Sequence, residues 1–172
     1  MYASSELTSG RRAQRLQREH NLSDVAALRD GLGAERYHTL LWSPNVEAAL
    51  AFAENLHGLL ARTELVISPA PFSAPDWPQP AYLAFWEKVI RTRVKAFYLN
   101  DGWQFSKGCV HEFVVASEER LPTFNVKARP ISVRRGIEMV SKAVRELESH
   151  GFDTQAIRSS LEPLERGQHD RR

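Results

Sequence analysis

The chain has 172 residues, 42% hydrophobic and 26% charged, and its 23 Lys+Arg against 21 Asp+Glu leave a net charge of +2. That composition fits one globular domain with a sizeable core and argues against a strongly electrostatic nucleic-acid binder. No apolar run approaches the ~18–20 residues a bilayer span needs, and Met1 to Arg12 has no signal-peptide apolar stretch, so a cytoplasmic protein with no membrane partner is expected. A single cysteine, Cys109, excludes an internal disulfide framework, and without a Cys-x-x-Cys pair neither a structural zinc nor another metal or cofactor is expected.

Residues 1–36 are polar and Arg-rich and read as a helical appendage. One helix is predicted over roughly Ser5 to His20; Ser23 caps a second, running through Asp24, Ala27 and Leu28 to Gly31 or Gly33. Arg11, Arg12, Arg15 and Arg18 form a basic stripe on the first helix. The pattern suits phosphate contacts, but more often marks a solvated face or an oligomer contact.

An α/β core is expected over 37–130. Tyr37 to Trp42 is β-prone; Ser43-Pro44-Asn45 interrupts it and offers Asn45 as a cap for a helix from Val46 to about Ala61. Leu65 to Ser68 reads as a second strand. Residues 69–80 hold five prolines in twelve residues and read as an exposed loop carrying Phe72 and Trp77. A helix over Tyr82 to Arg91, a strand over Val94 to Leu99, the turn Asn100-Asp101-Gly102, a helix over Lys107 to Glu119 and a strand near Thr123 to Val126 follow. The helices Ser132 to His150 and Thr154 to Glu165, separated by Gly151, form a C-terminal pair over 131–166, and 167–172 is expected to be a disordered tail. Strands alternating with helices of this length predict a Rossmann-like or flavodoxin-like parallel sheet of about four to five strands, helices on both faces, with helical extensions at both ends. Ligands in such sheets sit beyond the carboxyl ends of the strands, which points to Ser43 to Asn45, the proline loop and Asn100 to Gly108.

The last of these concentrates chemistry. Ser106 is a good helix cap, Gly108 lets a ligand approach the backbone, Lys107 adds a positive charge, and the free amides of a helix N-terminus attract an anion. Glu112, four residues past Gly108, is placed to return its carboxylate toward the same crevice. Taken alone, this spacing equally describes an ordinary capped strand–helix junction. Trp103 either lines the pocket or anchors the turn. Phe72 and Trp77 either stack on a nucleobase or fold onto their own core. His111 reads as a surface or packed residue and Cys109 as a small packed one.

The run Gly102-Trp103-x-x-Ser106-x-Gly108-x-x-x-Glu112, followed by Phe113-Val114-Val115-Ala116, resembles the nucleoside 2-deoxyribosyltransferase-like superfamily. It is nearest to the small bacterial and phage branch, and it shares the Ser-x-Gly-x-x-x-Glu spacing of the deoxynucleoside 5′-monophosphate N-glycosidases. The resemblance implies that Glu112 attacks C1′ of a (deoxy)ribose to form a glycosyl-enzyme ester, and that Gly102, Trp103, Ser106, Lys107 and Gly108, with Ser43 and Asn45, surround the substrate. It also implies a homo-oligomer whose pockets are completed by a neighbouring subunit. The transferases carry an aspartate at the position of Ser106; a serine beside Lys107 suits a 5′-phosphate instead. Where the family places an aspartate to protonate the leaving base, this chain reads Arg93-Val94-Lys95-Ala96, leaving Asp101 as the substitute. The expected ligand is a small-molecule nucleoside or nucleotide rather than nucleic acid. A non-catalytic nucleotide sensor and an NAD glycohydrolase are the alternatives.

Overall fold

The computed structural model describes residues 1–169 apart from 23, 61–63, 73 and 75, and leaves the side chains of 168 and 169 aside. The Ser23 cap, the Ala61 helix end and the last three residues of the expected disordered tail fall outside the described residues. The rest of that tail is not disordered: the final helix runs on to His169.

Three short strands, β1 (Tyr2–Ser4), β2 (Phe97–Leu99) and β3 (Thr123–Asn125), form one parallel sheet in the order β1-β2-β3, with Tyr2 opposite Phe97 and Phe97 opposite Thr123. Around it the chain is mostly helical: α1 (Arg11–Glu19), α2 (Val25–Tyr37), α3 (Ser43–Leu59), α4 (Gln79–Arg93), α5 (Lys107–Glu118), α6 (Val133–Ser149) and α7 (Gln155–His169). This corrects the expected Rossmann-like or flavodoxin-like sheet of four to five strands.

Two expected strands account for the difference. Tyr37 to Trp42 is helical, a wide π-type turn over His38–Trp42 that leads straight into α3. Pro44 does not interrupt, because it follows directly on the wide turn, where the regular i to i−4 ladder has already given way: Ser43 N–H bonds back to His38 O. Leu41 from this turn is fully buried with Leu28 and Leu32 of α2, and that helix-on-helix packing outweighs the local β propensity. The Leu65 to Ser68 segment contributes a single bridge, Ile67 to Tyr2, held by Ala3 N–H to Ile67 O at 2.8 Å and Ile67 N–H to Met1 O at 2.9 Å.

The opposite error occurs at the start of the chain. Residues 2–4, read as part of a helical appendage, form β1 and bury all three side chains. Alternation sends Tyr2, Phe97 and Leu99 into the main core with α4 to α7, while Ala3 and Tyr98 pack with Phe52 and Leu56 of α3. Within the main core, the Phe113 ring lies so close to α6 that a Cβ on Gly136 would stand 2.1 Å from it, so that glycine is what lets α5 approach. On the surface, Arg91 of α4 grips Glu118 at 2.7 Å and Glu119 at 2.6 Å, which ties α4 to the far end of α5.

The remaining boundaries follow local signals. Asp24 caps α2 by accepting from Ala27 N–H at 2.8 Å, and Gly33, at φ 73°, breaks the helical path inside α2. Ser106 caps α5 and Ser132 caps α6.

Candidate active site

The first turn of α5 and the chain leaving β1 meet at the carboxyl ends of the strands, and a cavity of about 480 Å³ opens there. Its polar floor is Ser5, Thr8 and Ser9 from the β1–α1 loop together with Ser106, Lys107, Gly108 and Glu112 of the α5 segment. Phe72, Tyr82, Leu83 and Trp86 line it from the proline loop and α4, and Ala156 and Ser160 of α7 close another side.

Glu112 is the chemical centre. Its Oε1 accepts from the Tyr2 hydroxyl at 2.7 Å and its Oε2 from the Ser4 hydroxyl at 2.6 Å. Burial pushes its carboxyl up to about 7; the two hydroxyl donors oppose that shift by stabilising the charged form. The carboxylate is therefore oriented by both oxygens and retains lone pairs for a ligand. Burial, reinforced by the Glu112 carboxylate, pushes the Tyr2 phenol well above its ordinary range. Burial, reinforced by the nearby Glu112, raises the Cys109 thiol to about 12, which leaves it an unreactive packed group.

Ser106 is 3% exposed and already engaged: its hydroxyl accepts from Cys109 N–H at 3.5 Å and lies 3.0 Å from the Ser9 hydroxyl. It clips the β1–α1 loop to α5. For an anion, the available groups are the Lys107 ammonium and the first-turn amides of Lys107 and Gly108, which have no carbonyl partner within the helix. A Cβ at Gly108 would meet nothing closer than the Ser106 hydroxyl at 4.0 Å, so the approach to the backbone is open.

Of the expected site residues, Glu112, Ser106, Lys107, Gly108 and Phe72 converge on this cavity. Trp77 does not line it; it packs behind Phe72 at 5.7 Å, and the residue is 39% exposed. Trp103 anchors the turn, buried against Phe113 at 4.8 Å, and Gly102 supports that turn at φ 85°. Ser43 lies 3.1 Å from His38 and outside the cavity.

Asp101 and Asn45 belong to a different cavity, next to the arginines of α1, so Asp101 does not face Glu112. Its position follows from the αL turn at Gly102, which carries the chain past Asp101 before re-entering at Ser106. Asn45 is structural: its amide donates to Leu7 O at 2.7 Å and its oxygen accepts from Arg12 at 3.0 Å. His111 reaches the cavity edge, with Nε2 3.4 Å from Glu87.

Sequence reasoning missed Tyr2, Ser4 and the Ser5 to Ser9 loop entirely. The available signal was the small polar run Ser4-Ser5-Glu6-Leu7-Thr8-Ser9-Gly10 standing between a Tyr-Ala pair and a helix, the composition of a strand-to-helix ligand loop. Among the described residues no group of three His, Cys, Asp or Glu could hold a metal ion, and no helix is long and apolar enough to cross a membrane. No family model, curated protein or solved structure matches the chain.

Proposed function

We propose that the protein cleaves or transfers the N-glycosidic bond of a nucleoside 5′-monophosphate through a covalent glycosyl–Glu112 intermediate. The observation that carries this reading is a half-buried carboxylate oriented through both oxygens by Tyr2 and Ser4, in a cavity with aromatic side chains on one side and a cationic helix N-terminus on another. Glu112 attacks C1′ as the bond to the base breaks, and the adjacent negative charge stabilises the oxocarbenium-like transition state. Water or a second base then opens the ester. Phe72, Tyr82 and Trp86 offer faces for a nucleobase, and Lys107 with the α5 amides takes the phosphate. The likeness to the deoxyribosyltransferase-like motif supports the same assignment, and with it a homo-oligomer acting on nucleotides in the cytoplasm.

The test is release of free base from a panel of ribo- and deoxyribonucleoside monophosphates. Base release that persists unchanged in Glu112→Ala would overturn the reading.

One observation favours a second reading, a nucleotide-binding module without turnover: Asp101 opens to the other cavity, and among the described residues no second carboxylate lines the one that holds Glu112. Thermal stabilisation by a nucleotide with no base released would establish it.

A further inference from the structure

A second cavity, of about 640 Å³, lies on the other side of the β1–α1 loop. The loop is a partition. Ser5, Leu7, Thr8 and Ser9 face the Glu112 cavity, whereas Glu6 turns into the second one. Arg11, Arg12, Arg15 and Arg18 of α1 line that side, opposite Asn100 and Asp101 at the end of β2.

Neutral groups, not carboxylates, hold two of these guanidiniums. Arg12 is oriented by its Nε–H bond to Asn45 at 3.0 Å, and Arg11 lies over the Phe105 ring at 4.4 Å. Stacking of that kind leaves the in-plane N–H fork free. The one ion pair formed by any of the four among the described residues is Arg15 to Glu19 at 3.6 Å, with both side chains more than half exposed. Such a pair is weak and easily exchanged. Four guanidiniums therefore border one concavity, and among the described residues none of them is ion-paired with the carboxyl groups that line it, Glu6, Asp101 and Glu146.

We propose that this second cavity binds a phosphate dianion, free or as the end of a small phosphomonoester, at a site separate from that of Glu112. The charge balance selects the ligand class. Burial pushes Glu6 up to about 7, so near neutrality it is partly protonated. Asp101, Glu146 and the partly charged Glu6 then stand against the four arginines, an excess of roughly one to two positive charges, and a phosphomonoester carries roughly −1.5 to −2 at pH 7. Planar arginine forks match phosphate oxygens in pairs. A nucleic-acid strand fits less well, because the surface is concave and three carboxyl groups stand in it. The inference does not depend on the reading of Glu112.

The experiment is calorimetric titration of the full chain with inorganic phosphate at pH 7, with ionic strength held constant by potassium chloride. Saturable binding is expected that persists in Lys107→Ala, where the cation of the first cavity is gone, and that in this background is weakened at least ~5-fold by Arg12→Gln and by the double variant Arg15→Gln/Arg18→Gln. The double variant changes only exposed side chains, so it stays informative if Arg12→Gln fails to fold. The proposal is overturned by heat that chloride alone reproduces, by binding that survives the double variant intact, or by binding lost in Lys107→Ala, which would assign the anion to the other cavity. Tighter binding of a short single-stranded oligonucleotide than of phosphate, lost in the same double variant, would replace it with a nucleic-acid surface.

Discussion

Glu112 and Glu6 stand on opposite sides of one loop, and burial pushes both carboxyls to about 7, yet their surroundings prepare them for different work. Glu112 meets two hydroxyl donors in a cavity bordered by aromatic side chains. Glu6 accepts the Arg11 amide at 3.1 Å and sits beneath Gly10, so close that a Cβ there would fall 1.8 Å from its Oε2. A raised pKa therefore does not by itself mark a reacting group. Two orienting donors in a cavity of ligand size make Glu112 a candidate nucleophile, while a backbone N–H and a roof of glycine make Glu6 a plug.

The sharpest way to break this comparison is to make each carboxyl neutral. Glu112→Gln is expected to reduce base release by ~10³-fold or more, because the nucleophile itself is removed. Glu6→Gln should leave most of the activity, and equal losses in a base-release assay would erase the distinction. In the unmodified protein kcat/KM should rise with pH through about 7 and then level off, as Glu112 becomes ionised in the free enzyme.

Next in size are the orienting groups. Tyr2→Phe or Ser4→Ala removes one hydrogen bond to a half-buried charge, worth ~1.5–3 kcal/mol, so base release should fall about 10- to 100-fold. Each loss also removes a donor that favours the charged form, so the acid limb of the pH profile should move to higher pH. A reduced rate with an unmoved limb would show that these hydroxyls only support packing.

Stability gives the third contrast. A carboxyl whose folded pKa lies above its ordinary value near 4.5 contributes stability that is complete below about 4.5 and lost as pH rises through about 7. Glu112→Gln should therefore raise urea stability at pH 8, by on the order of 1–3 kcal/mol, and have little effect at pH 4. Gly10→Ala should act in the opposite direction at every pH, costing ~1–3 kcal/mol, since φ is 103° there and Glu6 must move aside. The smallest effect belongs to Lys107→Ala: a several-fold rise in KM for a monophosphate, read against an unchanged KM for the matching nucleoside.

What could be read from the sequence was local. Ser106, Gly108 and Glu112 lie within seven residues on one capped helix, so spacing alone brings them together, and α4 to α7 carried clear periodicity. What could not be read was long-range. β1 has three residues, all buried, and shows no alternation between a wet and a dry face, so its own residues do not mark it as a strand and only the small polar run that follows it gives a local signal. Tyr2 and Ser4 were lost with it. Asp101 faces the second cavity rather than Glu112 because the sequence marks the strand end but not the direction of the turn after it. The Tyr37 to Trp42 error came from weighing β propensity without the α2 partner that buries Leu41.

The contact between Tyr2 and Glu112 joins residues 110 apart in sequence, and that separation has a consequence for how the protein is made. At a synthesis rate of ~5–20 residues per second, β1 leaves the ribosome several seconds before β2 and α5 exist to receive it. During that interval the tyrosine that later orients the carboxylate is an unpaired apolar segment open to chaperones or to non-native pairing. Helices α1 to α4 can form in that time, but the central sheet and the carboxylate's hydroxyl partners can only be completed together, late, and in a step with high loop-closure cost.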